Sequence, residues 1–376
     1  MTESGDRYGR LLSVDGQQGY VLRHGDVVSF QGSIPDNAHP GDFVRLRASG
    51  DMQLVSSRAS TPFPTDGSDV ERFIAQGKWS SLKARSRILK GVRAFFDARE
   101  FLEVETPLLV HSAGTEVHLD AVRAELHPSP GSPATLRFLI TSPEYHMKRL
   151  LSAGSGPIFQ LAKVFRDGEK GAHHRPEFTL LEWYRPFESY DVLMDDCEAL
   201  VAELVDDTHL CYGTHTIDLS RPWPRMTFRD ALRQFGHVDP ETLSVEEQLE
   251  CMVSVVEPRL DRSRPIFVTE FPIELASLAR PKPGNAAVAE RFELFLGGLE
   301  IANAFGELTN GQTQRRRCED EIKERADLGK SHQPLDEEFL SALEEGCPPA
   351  SGIALGLDRL VMLLTNSSTI DQVVSF

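Results

Sequence analysis

Residues 165–184 constrain the fold of this chain more than any other stretch. They read FRDGEKGAHHRPEFTLLEWY, and an apolar run at residues 157–164 precedes them. A polar segment rich in Gly and His separates that run from a second apolar run, residues 178–183. Two apolar runs around such a segment predict two antiparallel strands joined by a long loop.

The charged residues of this predicted hairpin indicate a binding site. Arg166 stands where the first strand ends, and carboxylates follow at Glu169, Glu177 and Glu182. An arginine at a strand end can bind phosphate or carboxylate with two parallel N–H donors, and buried acids opposite it can select an amine. Taken alone, the same charges also fit a solvated surface hairpin.

Three segments together resemble the signature motifs of class II aminoacyl-tRNA synthetases, in the order that this family requires. Residues 84–109 resemble the first motif, a helix and a strand ending in LEVETP at 102–107. The hairpin with HRPEF resembles the second, and GIALGLDRL at 352–360 resembles the third. The resemblance implies an α+β catalytic domain, in which helices flank an antiparallel sheet.

The first 58 residues differ in character from the rest of the chain. Five short β-like runs alternate with Gly, Asp and Pro turns, at residues 9–14, 19–22, 27–30, 42–47 and 52–55. This spacing predicts a small β-barrel-like domain at residues 1–58, of the oligonucleotide-binding kind. A linker is predicted at residues 59–72 and the class II catalytic domain at residues 73–376.

Three aromatic residues of this small domain, Tyr20, Phe30 and Phe43, are expected in its core, with base stacking as the alternative. The net charge of −17 weighs against broad nucleic-acid binding, because phosphate neutralisation needs clustered Lys and Arg. The five cysteines never form CxxC pairs, which argues against a zinc site. Without a signal segment or an apolar run of ~18 residues, we expect a cytoplasmic protein with no membrane association.

The resemblance is closest to the truncated lysyl-tRNA synthetase paralogues that modify elongation factor P, through TSPEYHMKRLL, PEFTLLEWYRP and GIALGLDRLVMLL. It implies ATP-dependent activation of (R)-β-lysine or lysine as an aminoacyl-adenylate, transfer to a lysine of elongation factor P, and a homodimer. A compact lysyl-tRNA synthetase is the alternative, although tRNA is the less expected partner. A non-catalytic regulatory paralogue is less favoured still.

The resemblance also implies roles for individual residues. Catalytic roles fall to Arg166, Glu300 and Arg359. Substrate-binding roles fall to Ser142, Pro143, Glu144, Glu182, Tyr184, Asn303, Phe305, Glu307 and Ala354. ATP-binding roles fall to Arg166, Asp167, Gly168, Glu169, His174, Arg175, Phe178, Glu300, Ile301, Gly356 and Arg359. Glu293 and Glu300 are the implied Mg²⁺ ligands.

Several of these residues bear on specificity. Glu182, Tyr184 and Glu307 would surround a distant ammonium group, which implies a lysine-like substrate. Ala354 stands where lysyl-tRNA synthetases usually have Gly, and its methyl group is expected to narrow the pocket floor. The chain also has Gly168 where many members of the family have Glu, and Arg175 where Asn is frequent.

Two further segments carry expectations about local structure. Residues 290–308 are predicted to form a mostly apolar strand that carries a few acids, among them Glu293 and Glu300. Buried acids without partners are costly, so a metal or a substrate amine is expected to compensate them, with solvated carboxylates at a strand edge as the alternative. Residues 229–260 are predicted to be helical and without chemistry.

Overall fold

The structure, a computed structural model, describes residues 6–58, 63–75 and 77–376. The chain divides into two compact units, one ending at Ser86 and one covering Arg87–Val374. The domain limits predicted at residues 58 and 72 stay predictions. Among the described residues, no helix has the length and apolar character needed to cross a membrane.

The first unit contains a five-stranded antiparallel sheet. Its strands are β1 (Arg7–Asp15), β2 (Gln18–Arg23), β3 (Asp26–Gln31), β4 (Phe43–Leu46) and β5 (Met52–Ser56). They lie in the order β3-β2-β1-β4-β5, and a parallel bridge between Ser33 and Asp51 links the ends of the two edge strands. Leu11, Val21 and Val44 fill the interior. The five predicted β runs are confirmed.

The prediction for two aromatic residues of this sheet was wrong. Tyr20 is 37% exposed and Phe43 is 50% exposed, whereas Phe30 packs against the interior. Side chains alternate between the two faces of a strand. Since the neighbouring Val21 and Val44 point inward, Tyr20 and Phe43 must point outward.

The remaining elements follow in chain order. They are α1 (Asp69–Ala75), α2 (Lys78–Asp97), β6 (Leu102–Glu103), β7 (Leu109–Val110), β8 (Arg123–Leu126), β9 (Thr135–Leu139), α3 (Glu144–Ser152), β10 (Ile158–Phe165), β11 (Glu177–Pro186), α4 (Tyr190–Leu204), β12 (His209–Tyr212), β13 (His215–Asp218), β14 (Arg225–Thr227), α5 (Phe228–Ala231), α6 (Val245–Cys251), β15 (Ile266–Thr269), β16 (Pro281–Lys282), β17 (Asn285–Ala289), β18 (Arg291–Leu296), β19 (Leu299–Gly306), α7 (Gly311–Asp327), α8 (Glu337–Gly346), β20 (Ala350–Gly356) and α9 (Leu357–Leu364). The prediction that residues 229–260 are helical is confirmed, but only α5 and α6 are α-helical. π and 3-10 turns follow these two short helices.

The second unit is built on an eight-stranded sheet in the order β14-β15-β18-β19-β20-β11-β10-β6. The central neighbours are antiparallel, and only the two edge pairs are parallel. This confirms the predicted antiparallel sheet and its signature hairpin, β10 with β11. The strand predicted to end at residue 107 is shorter, with a ladder at Leu102–Glu103 alone.

The single strand predicted within residues 290–308 was wrong. The segment forms a hairpin of β18 and β19, and the turn between them is Gly297-Gly298. Both glycines have positive φ, 61° and 84°. Such angles suit the two-residue turns of β-hairpins, and a Gly-Gly pair between apolar runs is their sequence signal.

One face of the large sheet packs on α2, α4 and α9, and Phe96 of α2 lies at the centre of this core. Its ring stacks on Phe159 at 4.6 Å between centroids and lies 5.3 Å from the ring of Trp183. Phe96 has no exposed surface. The core therefore supports one face of the hairpin β10–β11.

We predict that Phe96→Ala lowers the free energy of unfolding by about 3–5 kcal/mol, because it removes a buried ring and leaves a cavity. Chemical denaturation measures this change. Phe187→Ala is the matched control, since Phe187 is 78% exposed, and it should change stability by no more than about 0.5 kcal/mol. Equal losses in the two variants would contradict this view of the core.

Candidate active site

A row of side chains crosses the face of the large sheet that lies opposite the aromatic core. The strand register aligns Gln160, Glu182, Ala354, Asn303 and Glu293, from β10, β11, β20, β19 and β18. Their chain neighbours Trp183, Ile353 and Ala304 lie in the core. Because strand side chains alternate, the polar members of the row point away from that core.

A second row on the same face explains one glycine. The register aligns Tyr184, Gly352, Phe305 and Arg291. A Cβ atom on Gly352 would lie 2.2 Å from Cε1 of Tyr184 and 2.3 Å from Oε1 of Glu307. Only glycine leaves room for these two side chains at this position.

Asn303 and Ala354 of the first row and all four residues of the second row line a cavity of about 560 Å³. Sixteen predicted site residues line it: Ser142, Glu144, Arg166, Glu169, His174, Arg175, Phe178, Tyr184, Glu300, Ile301, Asn303, Phe305, Glu307, Ala354, Gly356 and Arg359. Five others do not line it: Pro143, Asp167, Gly168, Glu182 and Glu293. The structure thus brings most of the predicted site together, from segments far apart in sequence.

Glu182 is fully buried and hydrogen-bonded to two residues that line this cavity, Ser142 and Tyr184. Its Oε1 accepts a hydrogen bond from Ser142 Oγ at 2.6 Å, and its Oε2 accepts one from the Tyr184 hydroxyl at 3.2 Å. In the part of the chain that the structure describes, no Lys, Arg or His forms an ion pair with it. Burial, and then the charge of Glu144, raises the pKa of Glu182 to about 8. A cation is the ligand that would relieve this cost.

Lys148, which the sequence analysis missed, lies between two other acids of the site. Its Nζ lies 2.6 Å from Oε1 of Glu144 and also contacts Oε2 of Glu307. Burial alone would lower the pKa of Lys148, but the two carboxylates raise it above its ordinary value. The spacing of Glu144 and Lys148, four residues apart on α3, was the available signal.

The charges of this pocket do not balance. Glu144, Glu182 and Glu307 supply three carboxylates, and Lys148 is the only cation paired with them among the described residues. With all four groups ionised, two negative charges remain without a partner. A small molecule with two ammonium groups would balance them, whereas an acidic one would be repelled.

Arg166 lies at the other side of the cavity, where β10 ends. Its Nη1 lies 3.6 Å from Oε1 of Glu169, and its guanidinium is 5.1 Å from the centre of the Phe178 ring. Its Nε is buried and has no hydrogen-bond partner in the described part of the protein. Gly168 has φ 79°, a left-handed angle that favours glycine. This angle accounts for glycine at 168.

Arg359 is held by two predicted partners. It donates from Nη1 to the backbone oxygen of Glu300 at 2.7 Å, and from Nη2 to Nε2 of His174 at 2.6 Å. Burial and then the charge of Arg359 lower the pKa of His174, so the imidazole is neutral and can accept this hydrogen bond. Arg175 instead contacts the C-terminal residue Phe376 and Asp371.

The two predicted metal ligands lie near a third carboxylate. Glu293 accepts from Nη2 of Arg291 at 2.6 Å, and Oε2 of Glu300 lies 3.4 Å from Nη1 of Arg359. Burial, then Glu293 and Glu300, raise the pKa of Glu257 to about 7. Glu257 comes from the 229–260 segment, in which no chemistry was expected. Within the described ranges, no group of three or more His, Cys, Asp or Glu side chains could hold a metal ion by itself.

Sequence comparisons connect this site to known proteins. The family described as tRNA synthetases class II (D, K and N) matches residues 73–376. A protein of Edwardsiella ictaluri named elongation factor P–(R)-β-lysine ligase is 38% identical over 323 residues, which cover 82% of this chain and 98% of that protein. Proteins with the same name from Pseudoalteromonas translucida and Proteus mirabilis are 40% and 39% identical, over 79% and 82% of this chain and 95% and 98% of their own lengths.

We predict that Glu182→Gln stabilises the protein without ligand at alkaline pH. The pKa of Glu182 is raised to about 8 in the folded protein, so the wild type loses stability as the pH rises from about 4.5 to 8. Glutamine does not titrate, and the variant should gain about 1–3 kcal/mol at pH 9. Thermal unfolding across pH measures the difference, which should narrow toward about pH 4.5. A destabilised variant at pH 9 would contradict the prediction.

Proposed function

Since the chain belongs to the class II tRNA synthetase family of the D, K and N group, and within it to the elongation factor P–(R)-β-lysine ligases, we propose the following function. The protein activates (R)-β-lysine with ATP and transfers it to a lysine side chain of elongation factor P. The buried carboxylate of Glu182, which has no cationic partner among the described residues, is the observation that carries this proposal. The shared name of the relatives supports the acceptor.

The amino-acid pocket recognises charge. Glu182, with Ser142 and Tyr184 as its donors, binds the distant ammonium of the substrate together with Glu307. Glu144, which pairs with Lys148, faces the second ammonium with Oδ1 of Asn303, which has no hydrogen-bond partner among the described residues. A diamino acid satisfies both, whereas an aspartate-like substrate would need cations in their place.

ATP occupies the side of the cavity that carries the arginines. Arg166 binds the substrate carboxylate and the α-phosphate, and its unpaired Nε is a donor available for them. The Phe178 ring stacks on adenine, and Arg359 binds the outer phosphates. Asp167, Gly168, Glu169, His174, Arg175, Ile301 and Gly356 complete the proposed nucleotide site.

Mg²⁺ suits the donors near Glu293 and Glu300, because it prefers carboxylate oxygens together with substrate phosphates. The pKa of Glu293 is raised to about 7, by burial first and also by Glu300, which indicates excess negative charge that a cation would offset. Glu293 and Glu300 would hold the ion. Glu257 lies close enough for their charges to raise its pKa. When bound, the ion would compensate the charge of the phosphates.

Catalysis rests on positioning and electrostatics. The substrate carboxylate attacks the α-phosphorus of ATP in line, and pyrophosphate leaves. Arg166 and Arg359 offset the charge that develops on the phosphate oxygens. The acceptor amine then opens the mixed anhydride and releases AMP. This sequence needs no covalent bond to the enzyme.

The proposal also includes the oligomeric state of the protein and its location in the cell. Leu102, Leu108 and Leu109 follow α2 and are at least 36% exposed, which supports a homodimer contact near the first signature motif. The role in translation that the relatives' name indicates favours the cytoplasm. Transfer to tRNA remains the second candidate, and the N-terminal unit would then read the anticodon.

The test is ATP–pyrophosphate exchange with (R)-β-lysine and with α-lysine, followed by transfer to elongation factor P or to tRNA. We expect (R)-β-lysine to be preferred and elongation factor P to gain the mass of one β-lysyl group. Glu182→Gln should lower kcat/KM for the diamino acid at least about a hundredfold. Preference for α-lysine with charging of tRNA would overturn the proposal in favour of a compact synthetase.

We predict that Ala354→Gly shifts the preference toward α-lysine. Ala354 lies in register between Glu182 and Asn303, so removing its methyl group widens the pocket floor between the two ammonium sites. The ratio of kcat/KM for (R)-β-lysine to that for α-lysine should fall about threefold to thirtyfold. Ala350→Gly in the same strand is the control, and an unchanged ratio in Ala354→Gly would contradict the assignment.

A further inference from the structure

We propose that Glu116 is a catalytic residue of the transfer step, which receives the ammonium group of the acceptor lysine together with Glu321 and takes its proton. This inference rests on the proposed function and extends it to the protein acceptor. The two carboxylates line the same cavity as Glu144 and Arg166. Neither has a role in the amino-acid or nucleotide site described above.

The transfer step needs a proton acceptor. A lysine side chain has a pKa near 10.4 in water, so its amine is protonated at neutral pH and cannot attack a carbonyl. The activation step has no such need, because the carboxylate of the amino acid is already ionised. An acid that lines the cavity and has no part in binding the amino acid is therefore a candidate for this base.

The loop that carries Glu116 is fixed to α7. Arg325, which is buried, donates from Nη1 to the backbone oxygens of Glu116 and Leu119 at 2.7 and 2.9 Å, and from Nη2 to Oδ1 of Asp120 at 2.7 Å. Ser112 Oγ donates to the backbone oxygen of Pro334 at 2.6 Å. A loop held at this many points presents its side chains in a fixed position.

Glu116 and Glu321 are joined through the start of this loop. Thr115 Oγ1 donates to Oε2 of Glu321 at 2.5 Å, which brings the acid of α7 beside the loop. At Gly114 a Cβ atom would lie 2.3 Å from Oε2 of Glu116. The carboxylate of Glu116 thus folds over the glycine, whose φ of 114° lies in the left-handed region that favours glycine.

The groups around Glu116 favour a cation. The charged and titratable groups that act on Glu116 are Glu321 of α7, Glu144 and Tyr145 of α3, and Arg166 at the end of β10. Arg317 and Arg325 of α7 act on Glu321. No Lys, Arg or His of the described ranges forms an ion pair with Glu116 or Glu321. Burial, then Glu321, raises the pKa of Glu116 to about 8, and a base is most effective when its pKa lies near the working pH.

The step balances as follows. The acceptor ammonium gives one proton to the Glu116 carboxylate and becomes a neutral amine. The amine nitrogen forms a bond to the acyl carbon, and the bond between that carbon and the phosphate oxygen breaks. The electron pair leaves with AMP. The nitrogen loses its second proton to water, which yields the amide, and Glu116 later returns its proton to solvent.

The experiment compares two nucleophiles on the same preformed β-lysyl-adenylate enzyme. Elongation factor P offers a protonated lysine, whereas hydroxylamine is already neutral near pH 7 and needs no base. In Glu116→Gln, we expect the single-turnover transfer rate to elongation factor P to fall at least about tenfold more than the rate to hydroxylamine. In the wild type, the rate of transfer to elongation factor P should rise with pH through about pH 8. In Glu116→Gln this rise should disappear.

Glu319→Gln is the matched control, because Glu319 lies on the exposed side of α7, and it should leave the ratio of the two rates unchanged. The hydroxylamine reaction shows that the Glu116 variant is folded and activates its substrate. An unchanged ratio in Glu116→Gln, or an equal fall for both nucleophiles, overturns the inference. Absence of β-lysyl-adenylate in the wild type overturns the proposed function itself.

Discussion

The structure of this site depends on Glu182, a buried carboxylate that forms no ion pair with a Lys, Arg or His in the described part of the chain. Glu182 accepts hydrogen bonds from two hydroxyl groups, and these stabilise its charge less than an ion pair would. The protein therefore carries a cost in stability that a substrate ammonium relieves on binding. Lys148 has the complementary effect, since it neutralises part of the charge of Glu144 and Glu307. Without it, Glu144 and Glu307 would also lack this ion pair, and uncompensated buried charges are destabilising.

The sheet stays folded despite the destabilising effect of this buried carboxylate because its other face is tightly packed. Trp183, the chain neighbour of Glu182, is fully buried against Phe96 and donates from Nε1 to Oδ2 of Asp196 at 3.0 Å. Because side chains alternate along β11, a residue buried in the core, Trp183, stands next to an acid of the site, Glu182. A shift of one residue in register would exchange the two faces, and the antiparallel pairing on both sides of β11 excludes it.

Two apolar runs were sufficient to predict the signature hairpin, and the resemblance of three motifs to a known family was sufficient to predict the antiparallel sheet and most of the cavity lining. These sources were limited to local patterns and family motifs. They were insufficient where the outcome depends on contacts between distant segments. The pairing of Lys148 with Glu144 could have been read from their four-residue spacing, but the contact of Lys148 with Glu307 and the place of Glu116 beside α7 follow from packing between distant segments. The position of Glu257 depends on broken helical turns. The hairpin at Gly297-Gly298 was recoverable from its glycine pair, and the outward position of Tyr20 from the alternation of its strand.

The most direct test of the account is the titration of the Glu182 carboxyl group, followed by NMR with ¹³C-labelled glutamate and assigned by the signal missing from Glu182→Gln. Without ligand, the account predicts a midpoint at about pH 8, as the burial of this group requires. With saturating (R)-β-lysine, the midpoint should fall below about pH 6, because an ammonium group beside the carboxylate favours its charged form. A midpoint near the ordinary value of 4.5 without ligand, or one that does not move on binding, would contradict the account.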